Sequence, residues 1–192
     1  MSYAESFLKA KGLQCTINKT PPTTSFVSMK KSTKSIRDLS AREAYWEGII
    51  LDSSNVLSGD IVDILSDRYL IQTVNPDPAS KERSFYAVKS NAIVHHRQIS
   101  EVVNSDTGDI SSEWNEVHVS TIAFMEIVTY RMRQETPGLL DSTRYVIQVP
   151  KSVSAKLLDR FEYLNGNYEV VSIDNSAMDG ISIIQLSTDI RA

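Results

Sequence analysis

The chain has 192 residues and a mass of 21.5 kDa, which allows one or two domains and a core that needs no staples. Hydrophobic residues at 41% and charged residues at 23% exclude wholesale disorder, and a net charge of −4 speaks against a protein that mainly coats nucleic-acid phosphate. A single cysteine excludes an internal disulfide, no apolar run approaches the ~20 residues of a membrane span, and the start MSYAESFLKAKG lacks a signal peptide's apolar stretch, so a soluble intracellular product is expected.

Residues 3–11 carry Tyr3, Phe7 and Leu8 at helical spacing, with Gly12 behind them as a C-cap, which predicts a short amphipathic helix. The run 13–19 alternates Leu13, Cys15 and Ile17 with polar neighbours, the period of a half-buried strand. Pro21 and Pro22 then mark a turn, because neither can donate a backbone hydrogen bond. From Ser25 a short strand passes into a basic, serine-rich stretch bearing Lys30, Lys31, Lys34 and Arg37. Residues 1–50 hold eight basic and four acidic side chains, so the remainder is strongly acidic. A basic loop (28–40) on an acidic body is a candidate contact with a neighbouring subunit or with DNA, as well as a device for solubility.

Strand signals become dense from Ala44. The segments 44–52, 60–65, 68–75 and 84–97 are rich in β-branched and aromatic residues, and turn-like residues separate them. Ser66–Asp67 reads as a hairpin turn. Trp46, Tyr69, Phe85 and Tyr86 could stack nucleic-acid bases, but in a small barrel such residues more often fill the core. The polar, acidic stretch 98–116 is the best linker candidate, with the linker proper at 101–116. Beyond it, seven of the fourteen residues from Val117 to Tyr130 are β-branched, which favours a long bent strand, although helical spacing also fits 117–133. Strand segments follow at 144–149, 160–164, 167–174 and 180–187, with Asn165–Gly166 as the strongest hairpin signal.

The second half repeats the first. An offset of 99 residues lays DIVDILSDRYLIQTVN (60–75) over DRFEYLNGNYEVVSID (159–174), matching Asp60 with Asp159, Leu65 with Leu164 and Tyr69 with Tyr168. Residues 42–51 fall over 141–150, and 85–96 over 181–192 after a three-residue gap. The expected fold is therefore mainly β: two tandem small antiparallel barrel or sandwich units behind a short N-terminal helix. The domains are expected at 1–100 and 117–192.

Chemistry-bearing residues are sparse. No phosphate-binding glycine loop, nucleophile elbow or zinc-protease motif occurs, and the seven glycines stand singly. His95 and His96 are adjacent, so on a strand they point to opposite faces and cannot jointly chelate a metal. Solvated strand histidines are the better reading of His95, His96 and His118. Asp60, Asp63 and Asp67 stand among alternating apolar residues and read as structural rather than as general acids or bases. Neither an enzyme nor a metal or other cofactor is expected.

The phrases YAESFLKAKG, YWEGIILDSSNVLSGDIV, RYLIQTVN and NYEVVSIDNSAMDGISIIQLSTDIR resemble head–tail connector proteins of tailed bacteriophages. The resemblance is to the head-closure (stopper, minor capsid) type encoded by phages and prophages of Gram-positive bacteria. It implies a virion structural protein of the neck, made in the bacterial host cytoplasm and assembled at the head–tail interface. Its partners would be copies of itself in a ring homo-oligomer such as a dodecamer, portal or adaptor proteins, a tail-completion or tail-terminator protein, and the double-stranded DNA in the channel, with no membrane. This chain departs from the shortest family members by an apparent second barrel. A tail-completion or other tail or neck structural role, and an OB-type nucleic-acid-binding module, are the alternatives.

Overall fold

The computed structural model describes residues 3–32, 43–77, 81–103 and 110–191, without the side chains of 3, 4, 101–103, 110–112 and 119. Helix α1 (Tyr3–Lys11) forms as its spacing predicts. It buries Leu8 completely, worth roughly 2 kcal/mol of apolar transfer, and leaves Phe7 exposed. The amide of Gly12 donates to the Leu8 carbonyl at 2.8 Å. A Cβ at Gly12 would lie 2.5 Å from that oxygen, so only glycine closes the helix this tightly.

Six strands then close a barrel: β1 (Leu13–Ile17), β2 (Thr23–Lys31), β3 (Tyr45–Leu51), β4 (Ile61–Ile64), β5 (Asp67–Asp77) and β6 (Glu82–Lys89). Their order around it is β1-β2-β3-β6-β5-β4. Alternate residues face inward, and Ile17, Val27, Ile50, Val62, Ile71, Phe85 and Ala87 form its core. Six more strands close a second barrel: β7 (Ala92–Val103), β8 (Ile110–Ile127), β9 (Tyr145–Pro150), β10 (Arg160–Tyr163), β11 (Gly166–Met178) and β12 (Ile181–Thr188). The order is again the same, each strand replaced by the one six later. Its core includes Val94, Ala123, Ile147, Phe161, Val170, Ile184 and Leu186. The chain forms two compact units: Met1–Asn91 with Pro150–Ser152 and Asn175–Ser182, and Ala92–Val149 with Val153–Asp174 and Ile183–Ala192.

The offset of 99 is kept down to single hydrogen bonds. The 3-10 turns Asp52–Ser54 and Lys151–Val153 coincide under it, and each is followed by a left-handed residue, Asn55 and Ser154. The Asp60 carboxylate accepts from the Leu57 amide at 2.8 Å, and Asp159 from Lys156 at 2.7 Å. Asp52 N–H donates to the Lys81 carbonyl as Lys151 N–H does to Gly180, and Ser90 to Arg68 as Asp189 does to Asn167. That last pair lies beyond β6 and β12, so the three-residue gap expected at 85–96 is not there.

Other expectations are corrected. The segment 84–97 is two strands, β6 and β7, because the chain leaves the first barrel at Ser90–Asn91; across that polar junction the inward positions change from Phe85 and Ala87 to Ala92, Val94 and His96. The domain boundary accordingly falls at Ala92, not near 100, and the stretch expected as a linker at 101–116 contains the ends of a long β7–β8 hairpin. The two hairpin turns sit one residue earlier than expected, at Leu65–Ser66 and Leu164–Asn165. Register decides this: Val62 must pair with Tyr69 and Phe161 with Tyr168 so that all four side chains are buried, and a one-residue slip would turn them out. The price is a leucine at positive φ in each turn, 56° at Leu65 and 45° at Leu164. The ambiguous segment 117–133 is strand to Ile127, then helix α2 (Tyr130–Glu135), whose Thr129 side chain caps the Met132 amide.

Candidate interaction surface

Of the four expected contact residues, Lys30 and Lys31 end strand β2, while Lys34 and Arg37 lie outside the described residues. Lys30 reaches Glu47 at 3.3 Å and Lys31 reaches Glu43 at 3.3 Å. Both lysine side chains stay more than half exposed, so these pairs are weak and their ammonium groups remain open to a further partner. Beside Lys30, an open groove of about 380 Å³ runs along Ser28, Glu47, Ile49, Ser84 and Tyr86. Gly48 permits a close approach there: a Cβ would come within 2.9 Å of Met29 Cβ, the Ser28 carbonyl and the Phe85 ring.

The aromatics mostly fill the core, as expected. Tyr69 and Phe85 are buried, Trp46 packs on the core in a T-shaped contact with Tyr69 at 5.6 Å, and Phe85 and Tyr86 line the groove. Asp63 holds Asn18 and Arg68, and Asp67 holds Lys89 at 2.7 Å, so the carboxylates of 60–67 bind neighbouring chain segments.

The second barrel carries what the first lacks. Ile17 in β1 and His96 in β7 are equivalent, since they pair with Val62 and Phe161. After Ile17 the chain crosses to Thr23 through residues 18–22, whereas after His96 it runs through 97–117 before pairing again at His118. That insertion is a two-stranded ribbon, in which Gln98 through Val103 of β7 pair with Asn115 back through Ile110 of β8. Strand β8 pairs with β9 only over Phe124–Ile127, so the outer edge of its first part meets no other strand among the described residues. Glu113, Asn115, Glu116 and Val117 are exposed there.

Two buried polar clusters hold the ribbon's base. His96 is fully buried, a correction to the solvated histidine expected, while His95 is the solvated one and faces Glu116 at 3.7 Å. His96 Nε2 lies 2.8 Å from Asp159 Oδ2, its ring stacks on Phe161 and on His118, and its Nδ1 has no partner among the described residues. Gln98 donates to the same carboxylate oxygen at 3.1 Å, as Lys19 reaches Asp60 at 3.0 Å in the first barrel. Burial works to raise the Asp159 pKa, but the bonds from His96, the Lys156 amide and Gln98 outweigh it and hold the carboxyl below its usual value.

In the second cluster the Arg160 guanidinium lies over the Trp114 ring at 3.9 Å, and Arg191 lies over it at 5.0 Å. Both arginines share Asp189, at 2.8 Å from each Nε. Burial again pushes upward, yet the bonds from Arg191 and Arg160 keep Asp189 at about 2. Thus one ribbon residue, Trp114, is clamped by a buried ion-pair network of the barrel wall. Nothing in single-residue reading marked this cluster, because Arg160, Asp189 and Arg191 are distant in sequence from Trp114. The described residues contain no group of three or more His, Cys, Asp or Glu able to hold a metal ion.

Fold and surface define a class, the tandem closed six-stranded antiparallel barrel with a ribbon inserted in the second copy. No family model matches the chain, and no curated protein matches it. Among solved structures it is similar to MrkH of K. pneumonia, over 97% of this chain and 81% of that one, at 7% identity and a TM-score of 0.21. A likeness of that size carries no argument.

Proposed function

We propose that this chain is a structural protein of a bacteriophage neck, forming a ring between the portal or adaptor and the tail that closes the head, retains packaged DNA and docks the tail. The observation that carries the reading is the duplicated barrel with a ribbon added to only one copy. Among the described residues the β8 edge of the ribbon meets no strand other than β7, which suits a subunit that meets its neighbours through one elaborated element. The sequence resemblance to connector proteins supplies the setting, and heterologous contacts that close by rotation supply the ring. An acidic body suits a DNA conduit, because like charge lets the polymer slide. Lys30 and Lys31, each already beside a glutamate, suit a protein contact better than a phosphate backbone.

Native mass spectrometry of the chain, alone and mixed with the portal ring of the phage that encodes it, tests the reading. A ring, or a complex with several copies per portal, is expected. A monomer that never joins the portal ring would overturn it.

A further inference from the structure

We infer that the β7–β8 ribbon is the arm by which one copy of this chain grips the next, docking on the basic end of strand β2 of a second copy. The inference rests on reading the chain as a self-assembling neck component and names the two surfaces that meet. Three observations carry it.

First, the ribbon is an addition. The first barrel passes from Ile17 to Thr23 by residues 18–22, and the second spends 97–117 on the same crossing without enlarging its barrel. A closed six-stranded barrel therefore does not need the insertion, as its sibling shows.

Second, the insertion is anchored at its base. Trp114 packs against the guanidinium groups of Arg160 and Arg191, and Gln98 is tied to Asp159, so the base is fixed to the barrel wall. Beyond that base the described backbone of the ribbon pairs strand to strand within the ribbon, and Ile99 and Val117 are 46% and 41% exposed. A strand edge with apolar and polar side chains of this kind is a template for β-addition.

Third, the charges match. Residues 98–117 contain five acidic side chains and no basic one, while residues 30–42 contain five basic and one acidic. Among the described residues, Glu113 and Glu116 are exposed on the ribbon and Lys30 and Lys31 on β2. These opposite charges favour the ribbon of one copy against β2 of another, because ribbon against ribbon or β2 against β2 would set like against like.

A charge swap tests this on the full chain. One variant carries Glu113→Lys and Glu116→Lys, a second Lys30→Glu and Lys31→Glu, and a third all four. Self-association is read by sedimentation velocity up to about 100 μM protein at low and at high salt. Each double reversal is expected to weaken association at least tenfold, the four-fold variant to recover most of it, and salt to weaken the wild type. Circular dichroism melts confirm that all variants stay folded, which exposed positions should allow. Association that ignores the reversals, a four-fold variant that stays weak, or a wild type that remains monomeric throughout would overturn the inference. Binding to the portal ring, measured in parallel, reports on the neck role separately: a chain that joins the portal with unchanged copy number in both double variants keeps that role and loses this arm.

Discussion

Asp60 and Asp159 occupy one position of a duplicated barrel yet have different surroundings, so truncating each to alanine measures what surroundings add. Asp60 accepts from the Leu57 amide at 2.8 Å and faces Lys19 at 3.0 Å in a partly solvated pair. Losing a side-chain cap costs about 1 kcal/mol and a partly solvated ion pair little more, so Asp60→Ala should cost about 1–2 kcal/mol. Asp159 makes the same backbone bond at 2.7 Å, but it also holds the fully buried His96 at 2.8 Å and Gln98 at 3.1 Å. Its removal strands a second nitrogen of a ring whose Nδ1 already has no described partner, and each stranded buried polar group costs about 1–3 kcal/mol. Asp159→Ala should therefore cost about 3–5 kcal/mol, roughly 2 kcal/mol more than its sibling. The two tryptophans of the chain fall one in each unit, Trp46 in the first and Trp114 in the second, so fluorescence can follow each unit alone. Asp60→Ala is made in a Trp114→Phe background and Asp159→Ala in Trp46→Phe, each compared with its own background in urea. With a slope of about 2 kcal/mol per molar, the midpoint loss should be larger by about 1 M for Asp159→Ala. Equal losses, or a larger one at Asp60, would refute the argument that burial sets the cost.

Two further outcomes follow from the same geometry. Asp189 titrates at about 2 in the fold against roughly 3.9 in an unfolded chain, so it contributes about 2–3 kcal/mol at pH 7. The depressed value means that this contribution is full above about pH 4 and is lost as the pH falls toward 2. The stability gap between wild type and Asp189→Asn, from denaturant melts, should thus narrow over that window; a constant gap would contradict it. Leu164 sits at φ 45° and is 81% exposed, so it pays backbone strain and gains no burial. Leu164→Asn should raise stability by about 0.5–1 kcal/mol, and a lower urea midpoint would show that the leucine has a packing role within the chain.

Much of the fold was legible in the sequence because alternation of apolar residues is dictated by local geometry. LQCTI and RFEY alternate with a period of two, YWEGIIL is rich in aromatic and β-branched residues, and Gly12 behind Leu8 announces the helix end. The ribbon was not legible for the same reason in reverse. With none of its described side chains at 98–100 and 113–117 buried, it needs no alternation, so Gln98–Val103 and Ile110–Val117 read as a polar linker although their backbones pair. The buried histidine escaped notice because His95 and His96 look alike in sequence, and only the inward face of β7 distinguishes them.

The sequence by itself determined the mainly β character, the short leading helix, the duplication at an offset of 99 and the uneven distribution of charge. These are properties of neighbouring residues and of composition, which no packing can alter. Tertiary structure decided the closure of each barrel, the turn at Leu164 in place of Asn165–Gly166, the fate of His96, and the clamp of Arg160, Asp189 and Arg191 on Trp114. Each of those depends on which inward faces must meet, and burial imposes that on the chain only when distant strands come together.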